Sequence, residues 1–126
     1  MGFASTKSTT TIIDSQTITV PAGNYWETAF SIPSDKSCSL NGAIDGIAGA
    51  NRDFIILVAT DDQFAVFSRG ASNVTTLFES GQTSRVKLSV PLRAGSYHLV
   101  VSNKFSSVTE KWVRLTHIVS RCDAAQ

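Results

Sequence analysis

The eight residues Arg85–Leu92 put an aliphatic side chain at every second position: Val86, Leu88, Val90 and Leu92, with Arg85, Lys87 and Ser89 between them. A period of two is the repeat of a β-strand, because successive side chains leave opposite faces of the pleat. Such a strand has one face in a core and one in water, so the chain must supply a second layer to cover it. Pro91 has no amide hydrogen for a ladder, which places the end of this strand at a sheet edge.

The rest of the chain repeats the signal. Thr17-Ile18-Thr19-Val20 alternates and is stopped by Pro21-Ala22-Gly23-Asn24. Tyr25–Ile32 is rich in aromatic and β-branched residues and ends at Pro33-Ser34-Asp35. Residues 38–47 carry Leu40, Ala43, Ile44 and Ile47, with Gly42, Gly46 and Gly49 marking bends or bulges. Residues 54–59 are apolar throughout, as in a central strand covered on both faces, and Asp61-Asp62 ends them. Residues 63–70 fit a helical turn and a strand equally, since Phe64 and Phe67 lie three apart and Gly70 suits a helix end. Residues 74–78 and 84–92 read as a pair joined by Glu79-Ser80-Gly81-Gln82, and residues 97–102 and 111–122 complete the set.

This spacing predicts an all-β fold, an antiparallel β-sandwich of jelly-roll type with about eight strands and at most one short helical turn. Residues 11–122 read as a single domain, with a flexible lead at 1–10 and a flexible tail at 123–126. A chain of 126 residues buries enough surface to hold a core without metal or disulfide.

Eleven basic and ten acidic residues give a net charge of +1, and no basic run stands out. A nucleic-acid partner is therefore disfavoured, because neutralised phosphates supply most of that affinity. No apolar run approaches the ~18 residues of a membrane span, and the Ser/Thr-rich start has no signal-peptide core. The expected location is accordingly cytoplasmic, with Cys38 and Cys122 as reduced, partly buried thiols.

From Gly95 the sequence runs G-x-Y-x-L-x-x-x-N-x-x-S-x-x-x-x-K-x-V, matched by Gly95, Tyr97, Leu99, Asn103, Ser106, Lys111 and Val113. This stretch resembles the final hairpin of the GOLD (Golgi dynamics) β-sandwich of p24-type cargo proteins and some Sec14-like lipid-transfer proteins. The resemblance implies a sandwich that mediates protein contacts, sometimes at membranes. It covers about a fifth of the chain. The coiled-coil tail and membrane span of p24 proteins, and the lipid-carrying domain of Sec14-like proteins, have no counterpart here. Read physically, the matched residues have structural roles: a tight turn at Gly95, a buried ring at Tyr97, turn closure at Asn103 and Ser106, and a snorkelling stem at Lys111.

Candidate chemistry is sparse. His98 and His117 have no Cys, Asp or Glu at metal-ligand spacing, and a zinc site would have to join both with Cys122 or a carboxylate. No Gly-x-Ser-x-Gly elbow is present. Asp53 and Asp61 stand at opposite ends of one strand, too far apart to share a calcium ion, and Asp61-Asp62 reads as a turn. No catalytic, cofactor or metal residue is expected. The large amphipathic aromatics Tyr25, Trp26 and Trp112 are the binding candidates. Alternation places Tyr25 and Trp26 on opposite faces and turns Trp112 away from Val113. The sequence thus points to a non-enzymatic interaction module holding a protein partner or a second copy of itself. The alternative is recognition of a sugar or a lipid headgroup.

Overall fold

The computed structural model describes residues 7–33, 37–48, 52–70 and 74–123. In chain order they form β1 (Lys7–Val20), β2 (Tyr25–Ile32), β3 (Ser37–Ala48), β4 (Ile55–Thr60), α1 (Asp61–Ser68), β5 (Phe78–Glu79), β6 (Arg85–Leu92), β7 (Gly95–Ser102) and β8 (Lys111–Asp123).

Four antiparallel pairings bring the two halves of the chain together: β1 with β8, β2 with β7, β3 with β6, and β4 with β5. The chain is thus one long hairpin doubled back on itself. Two more pairings, β3 with β8 and β4 with β7, roll that hairpin into sheets of order β1-β8-β3-β6 and β2-β7-β4-β5. This arrangement is a jelly roll. The inward residues of β6 and of β7 (Tyr97, Leu99, Val101) meet Leu40, Ile44, Ile56, Val58, Val113 and Leu115 in one core between the sheets. Each fully buried aliphatic side chain contributes about 1.5–3 kcal/mol to holding the layers together.

Three expectations are corrected. Residues 74–78 do not pair with β6; β5 pairs with β4, and β6 lies beside β3 in the other sheet. The link between them crosses from sheet to sheet, with Thr83 bridged to Phe54, because Val86, Leu88 and Val90 must face Ile56 and Val58 across the core. Residues 7–10, read as a flexible lead, belong to β1 and pair with β8 as far as Asp123. Their Ser and Thr side chains at positions 8–10 are exposed, so no burial pattern marks the strand in the sequence. The lead's residues 1–6 and the tail's 124–126 lie outside the described residues. Cys38 and Cys122, read as free thiols, are joined by a disulfide. Their positions are direct partners in the β3–β8 ladder and both side chains point into the core, which places the sulfurs together.

The ambiguous stretch is a two-turn helix that begins two residues earlier than the sequence suggests. Thr60 caps it: its Oγ1 accepts from the Gln63 amide at 3.2 Å, and Gln63 Oε1 accepts from the Thr60 amide at 3.0 Å. Asp61 and Asp62, read as a strand stop, form the first turn, where the helix dipole favours negative charge. The helix gives β4 its second cover. Leu57 and Val100 on the outer face of their sheet are buried with Phe67 of α1. Both faces of β4 are therefore apolar for a reason.

Among the described residues no helix is long and apolar enough to cross a membrane.

Candidate functional site

The three aromatic candidates do not share a surface. Trp26 packs at the margin of the main core. Tyr25, on the opposite face of β2, is half-buried under α1, edge-on to Phe67 at 5.0 Å and to Phe64 at 5.9 Å. Trp112 alone stands out from the surface, 45% exposed on the outer side of β8, with its Nε1–H donating to Glu110 Oε2 at 3.2 Å.

Trp112 has neighbours along the chain that the sequence reading passed over. Five large hydrophobic side chains are exposed among the described residues, and Phe105, Val108 and Trp112 bring three of them into residues 105–112. Val108 is 87% exposed. The available signal was that Phe105 and Val108 sit in a polar turn, outside any strand alternation that would give them a buried face.

The loop carrying them is held rigidly. Asn103 is fully buried, and its Nδ2 faces the carbonyls of Thr109, Val20 and Pro21 at 2.7, 3.1 and 3.3 Å. Its backbone amide donates to Asn24 O at 2.8 Å, and its carbonyl accepts from the Gly23 amide at 3.1 Å. Ser106 Oγ accepts from the Thr109 amide at 3.0 Å, closing the turn from within. The Lys111 ammonium lies 5.4 Å from the centre of the Phe105 ring, a cation–π distance that props the ring from below. The β1–β2 turn and the β7–β8 loop therefore form one fixed end of the sandwich.

The motif residues at the other end of this hairpin are equally structural. Tyr97 is buried, and its hydroxyl donates to the Arg93 carbonyl at 2.7 Å. Gly95 has φ +155°, and a Cβ there would stand 3.4 Å from the Tyr97 oxygen.

The histidines lie on different sheets. His98 on β7 has Nδ1 at 2.9 Å from Glu27 Oε2 and Nε2 at 2.7 Å from Asp61 Oδ1, with its ring stacked 4.2 Å from Phe64. Both nitrogens are engaged, so the ring serves to tie α1 to β2 and β7. His117 on β8 is exposed, 3.4 Å from Asp14. The zinc arrangement weighed above is not assembled, because Cys122 is in the disulfide and the two rings are in separate layers. Among the described residues no three His, Cys, Asp or Glu side chains come together as a metal site.

No family model matches this chain, and no curated protein is found to be similar to it.

Proposed function

We propose that this protein is a non-enzymatic interaction module that holds a protein partner at the end of the sandwich formed by the β1–β2 turn and the β7–β8 loop. The exposed set of Phe105, Val108 and Trp112 on a hydrogen-bonded loop carries the reading. Large apolar side chains standing in water lose free energy until they are covered, and buried aromatic anchors dominate interface energetics. Because the loop is ordered before contact, little conformational entropy is lost on docking. The resemblance of the β7–β8 hairpin to the GOLD sandwich, whose habit is protein contact, supports the same reading.

Photo-reactive residues at Val108 and, as a control, at Ser31 on β2 test the proposal in the native cell extract and with the purified protein. A discrete protein adduct, heterologous or homotypic, should form from position 108 and not from position 31. It should vanish when Phe105→Ala and Trp112→Ala are combined. Equal adducts from both positions, or none from 108, would overturn the assignment.

A further inference from the structure

The outer face of the β1-β8-β3-β6 sheet carries a feature independent of the loop end. A hollow of about 580 Å³ opens over β8, β3 and β6. A second, of about 410 Å³, adjoins it and shares Asp45 and Arg85 with it. The trough has a physical origin. Outward positions at its centre carry the small side chains Ala43 and Thr116, register partners on β3 and β8, while longer side chains rise around them. Lys87 stands across from Ala43 on β6.

Charge is segregated here. Arg52, Arg85, Lys87, Arg114 and Arg121 line the two hollows, against Asp45 as the single carboxylate in their walls, in a chain whose net charge is only +1. Asp45 is taken by Arg85, Nε to Oδ1 at 2.9 Å. The sequence shows these residues as scattered; the register gathers them. Arg114 and Arg121, seven positions apart on β8, set a cationic track roughly 20 Å long at ~3.3 Å per residue, less the bulge at His117. With Asp45 set against Arg85, and Asp14 standing 3.4 Å from His117 at the margin, the walls keep an excess of positive charge that favours a counter-charge spread over the same length.

We infer that this trough binds an acidic polysaccharide, a linear glycan bearing sulfate or carboxylate groups. Three observations select it. The track is long, which suits a polymer of repeated anions better than a lone small anion. The walls add the hydroxyl of Thr116 and the side-chain oxygen of Asn41, whose Nδ2 donates to Ser39, as hydrogen-bonding groups suited to sugar hydroxyls. The lining contains no Phe, Tyr or Trp, and His117 is its one ring, so the row of stacking platforms that single-stranded nucleic acid uses is missing. The buried disulfide adds a consistent context, since such bonds persist in oxidising surroundings outside the cytosol, where charged glycans are displayed.

The test is a calorimetric titration of the whole protein, at one fixed salt concentration, with a sulfated octasaccharide, an oligouronate, neutral dextran and a single-stranded oligonucleotide of equal charge. At least one acidic glycan should bind, and dextran should not. Lys87→Glu with Arg121→Glu should weaken that binding at least tenfold, whereas Arg69→Glu with Arg93→Glu, the same charge change elsewhere, should alter it less than twofold. Chemical-shift changes in the unmutated protein should map to β3, β6 and β8, a readout that does not depend on any variant folding. The assignment is overturned if neither glycan binds, if the oligonucleotide binds as tightly, if both charge-reversal pairs act alike, or if the shifts map to another face.

Discussion

Cys38 and Cys122 stand directly opposite each other in the β3–β8 ladder, and the bond between them closes a loop spanning 84 residues of chain. It fastens the end of β8 to β3, its neighbour in the middle of the sheet. Constraining the unfolded chain over a loop of that length contributes about 4–5 kcal/mol in the chain-entropy account. A domain of this size is typically stable by only about 5–15 kcal/mol, so the bond is a large share of the total. Replacing both cysteines by alanine should lower the unfolding free energy by about 4 kcal/mol in urea titrations. Dithiothreitol should bring the unmutated protein to a similar midpoint and leave the variant unaffected. A variant as stable as the parent would show that the core and ladders suffice alone.

His98 joins three elements at once, through Glu27 on β2, Asp61 at the start of α1, and the Phe64 ring stacked on its face. The helix has only two turns, too short to persist in water by itself. Its retention depends on this tie and on the burial of Phe67 against Leu57 and Val100. His98→Ala should cost about 1–3 kcal/mol, the usual range for losing hydrogen bonds to charged partners that stay behind. Hydrogen exchange separates this effect from general loosening. Amides of residues 61–68 should lose protection while those of β8 keep theirs. Uniform loss across both would mean that His98 supports the whole sandwich rather than the helix.

The parts of this fold that were readable are those where one face of a strand meets the core. Val86, Leu88 and Val90, and Tyr97, Leu99 and Val101, announce their strands because burial repeats with the pleat. Residues 54–59 announced a strand covered twice, and α1 supplies the second cover. Local chemistry was readable but overlooked at α1, where Thr60-x-x-Gln63 spells a capping box. What alternation cannot encode is partnership. Nothing in residues 74–92 tells that β5 and β6 lie in different sheets, since each satisfies its own pattern either way. The exposed strand residues 8–10, the cysteine pairing and the gathering of Arg114 and Arg121 beside Lys87 all depend on register between segments far apart in the chain. The candidate site was half legible. Trp112 stood out by type, whereas Phe105 and Val108 matter because the turn around Asn103 gives them nowhere to hide.

Gly42 fits against the bulge in β8. His117 adopts φ 49°, which inserts an extra residue into β8 between Thr116 and Val119, opposite the interval from Ala43 to Asn41 on β3. Gly42 occupies that interval with φ +153°, and a Cβ there would lie 2.6 Å from Ile118 Cδ1 and 2.9 Å from the His117 carbonyl. One neighbour is a side-chain tip that can be removed; the other is backbone and cannot be. Gly42→Ala should therefore destabilise by about 2–3 kcal/mol, the range for forced overpacking with added backbone strain. Ile118→Val deletes the Cδ1 atom and by itself should cost about 1 kcal/mol. Combined, the two should cost clearly less than the sum of the separate losses, with a coupling of about 1 kcal/mol in a double-mutant cycle. Rescue should stay partial because the carbonyl contact remains. Strict additivity of the two substitutions would mean that the Ile118 Cδ1 contact does not set the cost of a Cβ at Gly42 and that the backbone of His117 and Ile118 does.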